Sequence, residues 1–130
     1  MAGLLILAHG GSWEMRFQIS SLAASAAAAG DPVDLALFFD ALRAWAGGGW
    51  DDLDPRPPLT ADRLEALNMP PLSEMLAPGR EDGLIRVYAC SASARMLGLD
   101  VGRVQASVDA LLSWQSFSRM IHDASQVVTL

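Results

Sequence analysis

One side chain stands apart chemically: Cys90, the only cysteine in a chain of 130 residues, lies between the apolar run Leu84 to Ala89 and the small-residue run Ser91 to Leu97. The first run reads as a strand and the second as a helix. A sulfur at the start of a helix faces backbone N–H groups that lack partners and the positive end of the helix dipole, and both favour the thiolate. The thiolate is the nucleophilic form, so Cys90 could carry a persulfide or serve as another thiol nucleophile without metal or cofactor. The competing reading is a buried cysteine that acts as a small apolar residue.

The other candidates gather around the same edge. In an open parallel sheet the loops and helix N-termini converge outside the carboxyl ends of the strands. That edge should display His9 and Gly10 after the first strand, Asp40 after the second, Cys90 and Ser91 after the third, and Ser113, Trp114 and Gln115 after the fourth. His9 would stabilise a Cys90 thiolate if the first and third strands are neighbours; otherwise it is a loop histidine. Gly10-Gly11-Ser12 resembles a small anion cradle, but lacks the dinucleotide fingerprint and a P-loop lysine. Asp51, Asp52 and Asp54 lack the glycine and final glutamate of a calcium loop and read as a solvated turn, so no metal is expected. His122, late in the last helix, complements its dipole.

The elements that must position these residues follow from periodicity and punctuation. Gly3 to Ala8 is a continuous apolar run bounded by Gly10-Gly11, as in a strand buried on both faces of a parallel sheet. Ser12 caps a helix on which Met15, Ile19, Leu22 and Ala26 recur at helical spacing, and whose alanines allow close approach to a sheet or a second subunit. Val33 to Phe39 is the second strand and Asp40 to Ala46 a short helix that stops at Gly47-Gly48-Gly49. Trp50 to Pro58, with three aspartates and three prolines, reads as an exposed excursion. Thr60 caps a helix to Leu67, and a further turn from Leu72 ends at Pro78-Gly79.

After Cys90 the helix Ser91 to Leu97 closes on Gly98, with Leu99 placed to pack over the cap. Asp100 to Ser107 fits either a helix or a loop. Val108 to Leu112 is a fourth strand, Phe117, Met120 and Ile121 mark the last helix, and Gln126 to Leu130 is a terminal strand. Alternating strands and helices predict one α/β domain: a three-layer α/β/α sandwich with a mainly parallel sheet of about five strands, covered on both faces.

Composition narrows the function classes. The chain has 9 basic and 15 acidic residues and no basic run, so nothing favours tracking of phosphates, and nucleic acid is not an expected partner. Leu4 to Ala8 is too short for a signal sequence or a membrane span, and a lone unpaired thiol suits a reducing compartment. A cytoplasmic location is the expectation. Three function classes remain open: a thiol carrier, a non-catalytic assembly module with Cys90 buried, and a small-molecule or nucleotide binder at Gly10 to Ser12.

Four segments together resemble the DsrE/DsrF-like proteins, which include sulfur-relay subunits of the Tus type. LLILAHGGSWEMRFQISSLAASAAAAGDPVDLALFFDAL is similar to that family's opening strand, alanine-rich helix and second strand. LSEMLAPGREDGLIRVYAC resembles the helix and strand that deliver the family cysteine, CSASARMLGLD its small-residue helix and Leu-Gly turn, and LLSWQSFSRMIHDASQVVTL the closing helix and strand. The resemblance implies a sulfurtransferase-like fold, Cys90 as the sulfur-bearing residue, sulfur donor and acceptor proteins as partners, no cofactor, and a homo- or hetero-oligomer, trimeric or hexameric. Two departures accompany it: Trp50 to Pro58 looks like an insertion, and Ser113-Trp114 replaces a small turn, which implies that Trp114 narrows the pocket.

Overall fold

The computed structural model describes residues 3–55 and 59–130. Five strands, β1 (Leu4–Ala8), β2 (Val33–Leu37), β3 (Ile85–Cys90), β4 (Ala110–Leu112) and β5 (Gln126–Thr129), form one sheet in the order β4-β3-β2-β1-β5. Every pairing is parallel, with Leu4 opposite Val33, Val33 opposite Ile85, Tyr88 opposite Ala110 and Leu4 opposite Gln126. The α/β expectation and the strand count hold.

Among the described residues seven helices connect the strands: α1 (Trp13–Ala28), α2 (Phe39–Ala46), α3 (Ala61–Ala66), α4 (Leu72–Glu81), α5 (Ser91–Met96), α6 (Val101–Ser107) and α7 (Trp114–Asp123). From β1 to β4 the chain moves steadily across the sheet in one direction, so right-handed crossovers place all of α1 to α6 on one face. The return from β4 to β5 runs the other way and puts α7 alone on the opposite face. Two cores result. On the first face Leu4, Ile6, Leu35, Leu37, Val87 and Ala89 meet Ile19 and Ala23 of α1, Leu72 and Leu76 of α4, Ala94 and Val104. On the second, Leu5, Leu7, Ala36, Phe38 and Cys90 meet Phe117, with Met120 at the margin. A ten-residue helix spans only about 15 Å. Both faces are thus covered, as expected, but the second unevenly: Leu5 and Leu7 of β1 are buried there, whereas Asp34 and Tyr88 are half-buried and Arg86 is exposed.

Local signals explain most element ends. The Ser12 and Thr60 hydroxyls accept the Met15 and Arg63 N–H groups, as their N-cap positions predicted. Gly98 takes φ +66°, and the Leu99 N–H reaches back to the Ala94 carbonyl at 3.0 Å, closing α5 with Leu99 against the core. The Asp100 carboxylate accepts the Gly102 and Arg103 N–H groups, which makes the undecided stretch a helix.

Three expectations need adjustment. The buried stripe of α1 is Trp13, Arg16, Ile19, Ser20, Ala23 and Ala27; of the four residues read at helical spacing Ile19 is on it, and Leu22 and Ala26 pack half-buried along its margin. Small side chains decide the rotation: α4 approaches so closely that a Cβ on Gly79 would lie 2.4 Å from the Ile85 Cδ1 and 3.1 Å from the Ala27 Cβ. The alanines thus serve packing against sheet and helix within the chain. Second, α4 runs through Pro78 to Glu81. Pro78 removes one N–H from the ladder, but Leu72, Leu76 and Gly79 are buried on either side of it and hold the helix to β3 and α1.

Third, the stretch from Trp50 is no free excursion as far as Pro55; residues 56–58 lie outside those described. Trp50 is buried and donates its indole N–H to the Ser20 hydroxyl at 3.0 Å, with its ring edge-on to Trp45. Removing an indole from water stabilises by about 4–6 kcal/mol. Arg16, only 3% exposed, donates to the carbonyls of Gly11, Gly49 and Trp50 and to Asp54. Asp54 also accepts the Trp13 N–H at 2.6 Å, and Asp51 accepts the N–H and hydroxyl of Ser73. These aspartates staple the turn to α1 and α4. Replacing Arg16 with Met leaves three carbonyls and the partly exposed Asp54 carboxylate without their donor, and should lower unfolding free energy by about 2–4 kcal/mol in urea titration. Asp54→Ala, at a side chain 38% exposed, should cost about 1–2 kcal/mol.

Candidate functional site

Cys90 is the last residue of β3 and the N-cap of α5. Its extended backbone turns the side chain onto the second face, into the cluster that holds Phe38, Phe117 and Leu112, with Leu112 opposite it in register, and it is 1% exposed. The sulfur accepts the Ser93 N–H at 3.4 Å. This places the thiol at the carboxyl edge, as expected, yet inside a core.

His9 does not reach it. In the observed order β2 separates β1 from β3, so the neighbour relation that would have joined His9 to Cys90 is absent. One row beyond the paired residues Ala8, Leu37 and Ala89 stand His9, Phe38 and Cys90, two strand spacings or roughly 10 Å from end to end. The Phe38 ring fills the middle, with the His9 imidazole stacked on it at 4.8 Å between centroids. The His9 backbone is also fixed, its N–H donating to the Leu130 carbonyl at 2.7 Å and its carbonyl accepting from Ala41.

Phe38 organises the edge. Trp114 stacks on it at 5.0 Å, Phe117 tilts against it at the same centroid distance, and Trp114 meets Phe117 edge-on. Trp114 is 48% exposed, so it forms the outer surface of the aromatic layer built on Phe38 and Phe117, which share a core cluster with Cys90. The next residue, Phe39, has φ +42° and is 41% exposed. Such a backbone for a bulky residue costs on the order of 1–3 kcal/mol; Phe38 itself is extended and continues the alternation that puts Ala36 on the second face, and α2 starts immediately after it.

The remaining candidates divide between packing and solvent. A Cβ on Gly10 would lie 2.7 Å from the Met15 Cγ, and one on Gly11 equally close to the Asp40 Cβ. These glycines permit close approach of α1 and α2 to the β1 turn. The first N–H groups of α1 are taken by Asp54 and Ser12, so the anion cradle is filled by the protein's own carboxylate. Asp40 is exposed and pairs with Arg43 at 3.2 Å. Ser91 is half-buried at the start of α5, and His122 is exposed near the end of α7. No helix among the described residues is long and apolar enough to cross a membrane.

Sequence reasoning missed Arg16, Trp50 and Asp54 as a staple, Phe38 as the centre of the edge, and Ser93. A signal existed for Arg16, which sits three residues from Trp13 and Ile19 on the stripe that continues through Ala23. Ser93 is three residues past Cys90, the spacing at which an N-cap side chain meets a backbone N–H.

On the less covered part of the second face Asp34 and Arg86 are opposite each other in register, with Tyr88 next along β3. Burial pushes the Asp34 carboxyl above its ordinary value of 3.8, with Arg86 opposing. Burial first, and then the Asp34 charge, push the Tyr88 hydroxyl up against a hydrogen bond from Arg86. A carboxyl raised in the folded state binds its proton more tightly there than when unfolded. Its stabilising contribution is therefore complete below pH 3.8 and is lost as pH rises through the raised folded value. Asp34→Asn should remove this loss, so that the variant's stability relative to the parent increases from acid to neutral pH in chemical denaturation; a pH-independent difference would contradict it.

No protein-family model matches the chain, and no curated protein matches it significantly.

Proposed function

We propose that the chain is a DsrE/DsrF-like sulfur carrier in which Cys90 accepts and passes on sulfane sulfur. The observation that supports this reading is the position of the only cysteine: at the carboxyl edge of a parallel sheet, at a strand-to-helix junction, with its sulfur accepting a helix N–H. The Cys90 thiolate attacks the outer sulfur of a donor protein's persulfide; a new S–S bond forms at Cys90, the donor S–S bond breaks, and the donor cysteine leaves as thiolate. An acceptor thiolate then attacks the outer sulfur and releases the Cys90 thiolate. No net oxidation occurs, and no cofactor is required. In this reading the protein acts in the cytoplasm as a homo-oligomer, a trimer or hexamer, that docks donor and acceptor in turn.

Exposure of only 1% at Cys90 favours a second reading, a non-catalytic assembly module whose thiol is part of the core. The two differ in what Trp114 does. As the outer layer over a working thiol, Trp114 limits access, and Trp114→Ala should raise the rate of Cys90 alkylation in folded protein by about tenfold or more. In a module the thiol reacts only when the chain unfolds, whichever residue occupies position 114.

The decisive experiment is intact mass under non-reducing conditions after incubation with a cysteine desulfurase and cysteine, with Cys90→Ser as control. The carrier reading expects a gain of one sulfur atom, reversed by reductant and absent from the variant. No gain by either the parent or Trp114→Ala, with the donor enzyme active, sinks the carrier reading in favour of the module.

A further inference from the structure

Ser93 is 0% exposed, and its hydroxyl oxygen is buried with no hydrogen-bond partner. Burying a hydroxyl unsatisfied costs about 1–3 kcal/mol, so its retention in a core needs a reason. Its surroundings supply one. The Ser93 backbone nitrogen already donates to the Cys90 sulfur at 3.4 Å, and the hydroxyl oxygen is three covalent bonds from that nitrogen. Ser93 holds the third position of α5. There the Cβ leans toward the helix N-terminus and the side chain can reach back to the cap residue, as in a capping box.

We infer that the Ser93 hydroxyl is a positioning group for the Cys90 sulfur: by rotation about χ1 it donates a second hydrogen bond when that sulfur is anionic, as thiolate or persulfide. The inference deepens the sulfur-carrier reading and rests on it. In the neutral thiol the sulfur is a weak acceptor, and the hydroxyl gains little by turning to it. Once the sulfur is charged, a buried charge-assisted bond forms where water cannot compete. The proton stays on the Ser93 oxygen throughout. Ser93 thus compensates the charge in a cluster whose other buried members, Leu5, Leu7, Ala36, Phe38 and Phe117, carry no side-chain donor.

The test exploits the single cysteine. Thiolate ultraviolet absorbance is followed against pH in the parent, Ser93→Ala and Ser21→Ala, each corrected with its Cys90→Ser counterpart and with folding monitored by circular dichroism. Ser21 is the control because its hydroxyl is likewise buried without a partner, but on α1. Ser93→Ala should raise the titration midpoint by about one pH unit, a roughly tenfold loss of thiolate at fixed pH below it. Ser21→Ala should leave the midpoint in place. The same Ser93→Ala protein, in its thiol form, should unfold at slightly higher urea concentration, since it no longer buries an unsatisfied hydroxyl. An unchanged midpoint in Ser93→Ala, or an equal rise in Ser21→Ala, overturns the inference. Sulfur loading is read separately on the parent. A midpoint shift without loading retains the hydroxyl assignment and removes the carrier function, whereas loading without a shift does the reverse.

Discussion

The handedness of the crossovers governs this molecule. Because a strand, a helix and the next parallel strand close in a right-handed sense, four strands laid down in one direction commit six helices to one face. Only the reversal before β5 sends a helix behind the sheet. That helix, α7, must cover a wide surface with ten residues, and it does so by seating Phe117 on Phe38 and Cys90 near the carboxyl edge. The thiol's environment, the half-exposed Trp114 and the less covered Asp34, Arg86 and Tyr88 all descend from this asymmetry. A second helix on that face would have buried Arg86 or demanded an apolar residue in its place.

Phe38 links that constraint to the site. As the first residue beyond β2, it occupies the row between His9 and Cys90, and it contacts His9, Trp114 and Phe117 in turn. The positive φ of Phe39 follows directly after it. Strain of this kind persists only where surrounding contacts over-determine it, and the stacked rings around Phe38 provide them. The imidazole is thereby isolated from the thiol, and the polar groups left to meet the sulfur come from α5 itself.

What could be read from the sequence was local. The strands, the caps at Ser12 and Thr60, the Gly98 turn and the strand-to-helix placement of Cys90 depend on neighbours within a few residues, and those were legible. The order of strands depends on which crossover reverses, which no short window encodes, and so whether His9 could meet Cys90 had to stay conditional until β2 was found between them. The turn after Trp50 was misread for a related reason. Three aspartates and prolines look solvated by composition, but the cation that recruits Asp54 is Arg16, 38 residues away. Likewise Pro78 is a helix breaker on local grounds alone, and only the packing of α4 on α1 and β3 outweighs it.

A thiol inside an apolar core and a thiol that must become an anion make opposite demands. The first is best served by donor-free neighbours, such as Phe38, Phe117 and Leu112 of its cluster; the second requires fixed dipoles aimed at the sulfur, since desolvation otherwise favours the neutral form. In the carrier reading Cys90 has to satisfy both. Its outer sides are apolar, while its inner side faces the first turn of α5, where the Ser93 N–H bonds the sulfur and the Ser93 hydroxyl is still unspent. Alanine at position 93 would fill nearly the same volume without the cost of an unsatisfied hydroxyl, a cost that the carrier reading accounts for and the module reading does not use. Ser21 on α1 buries an unpartnered hydroxyl as well, so it is the closeness of Ser93 to the sulfur, and not the missing partner alone, on which the carrier reading draws.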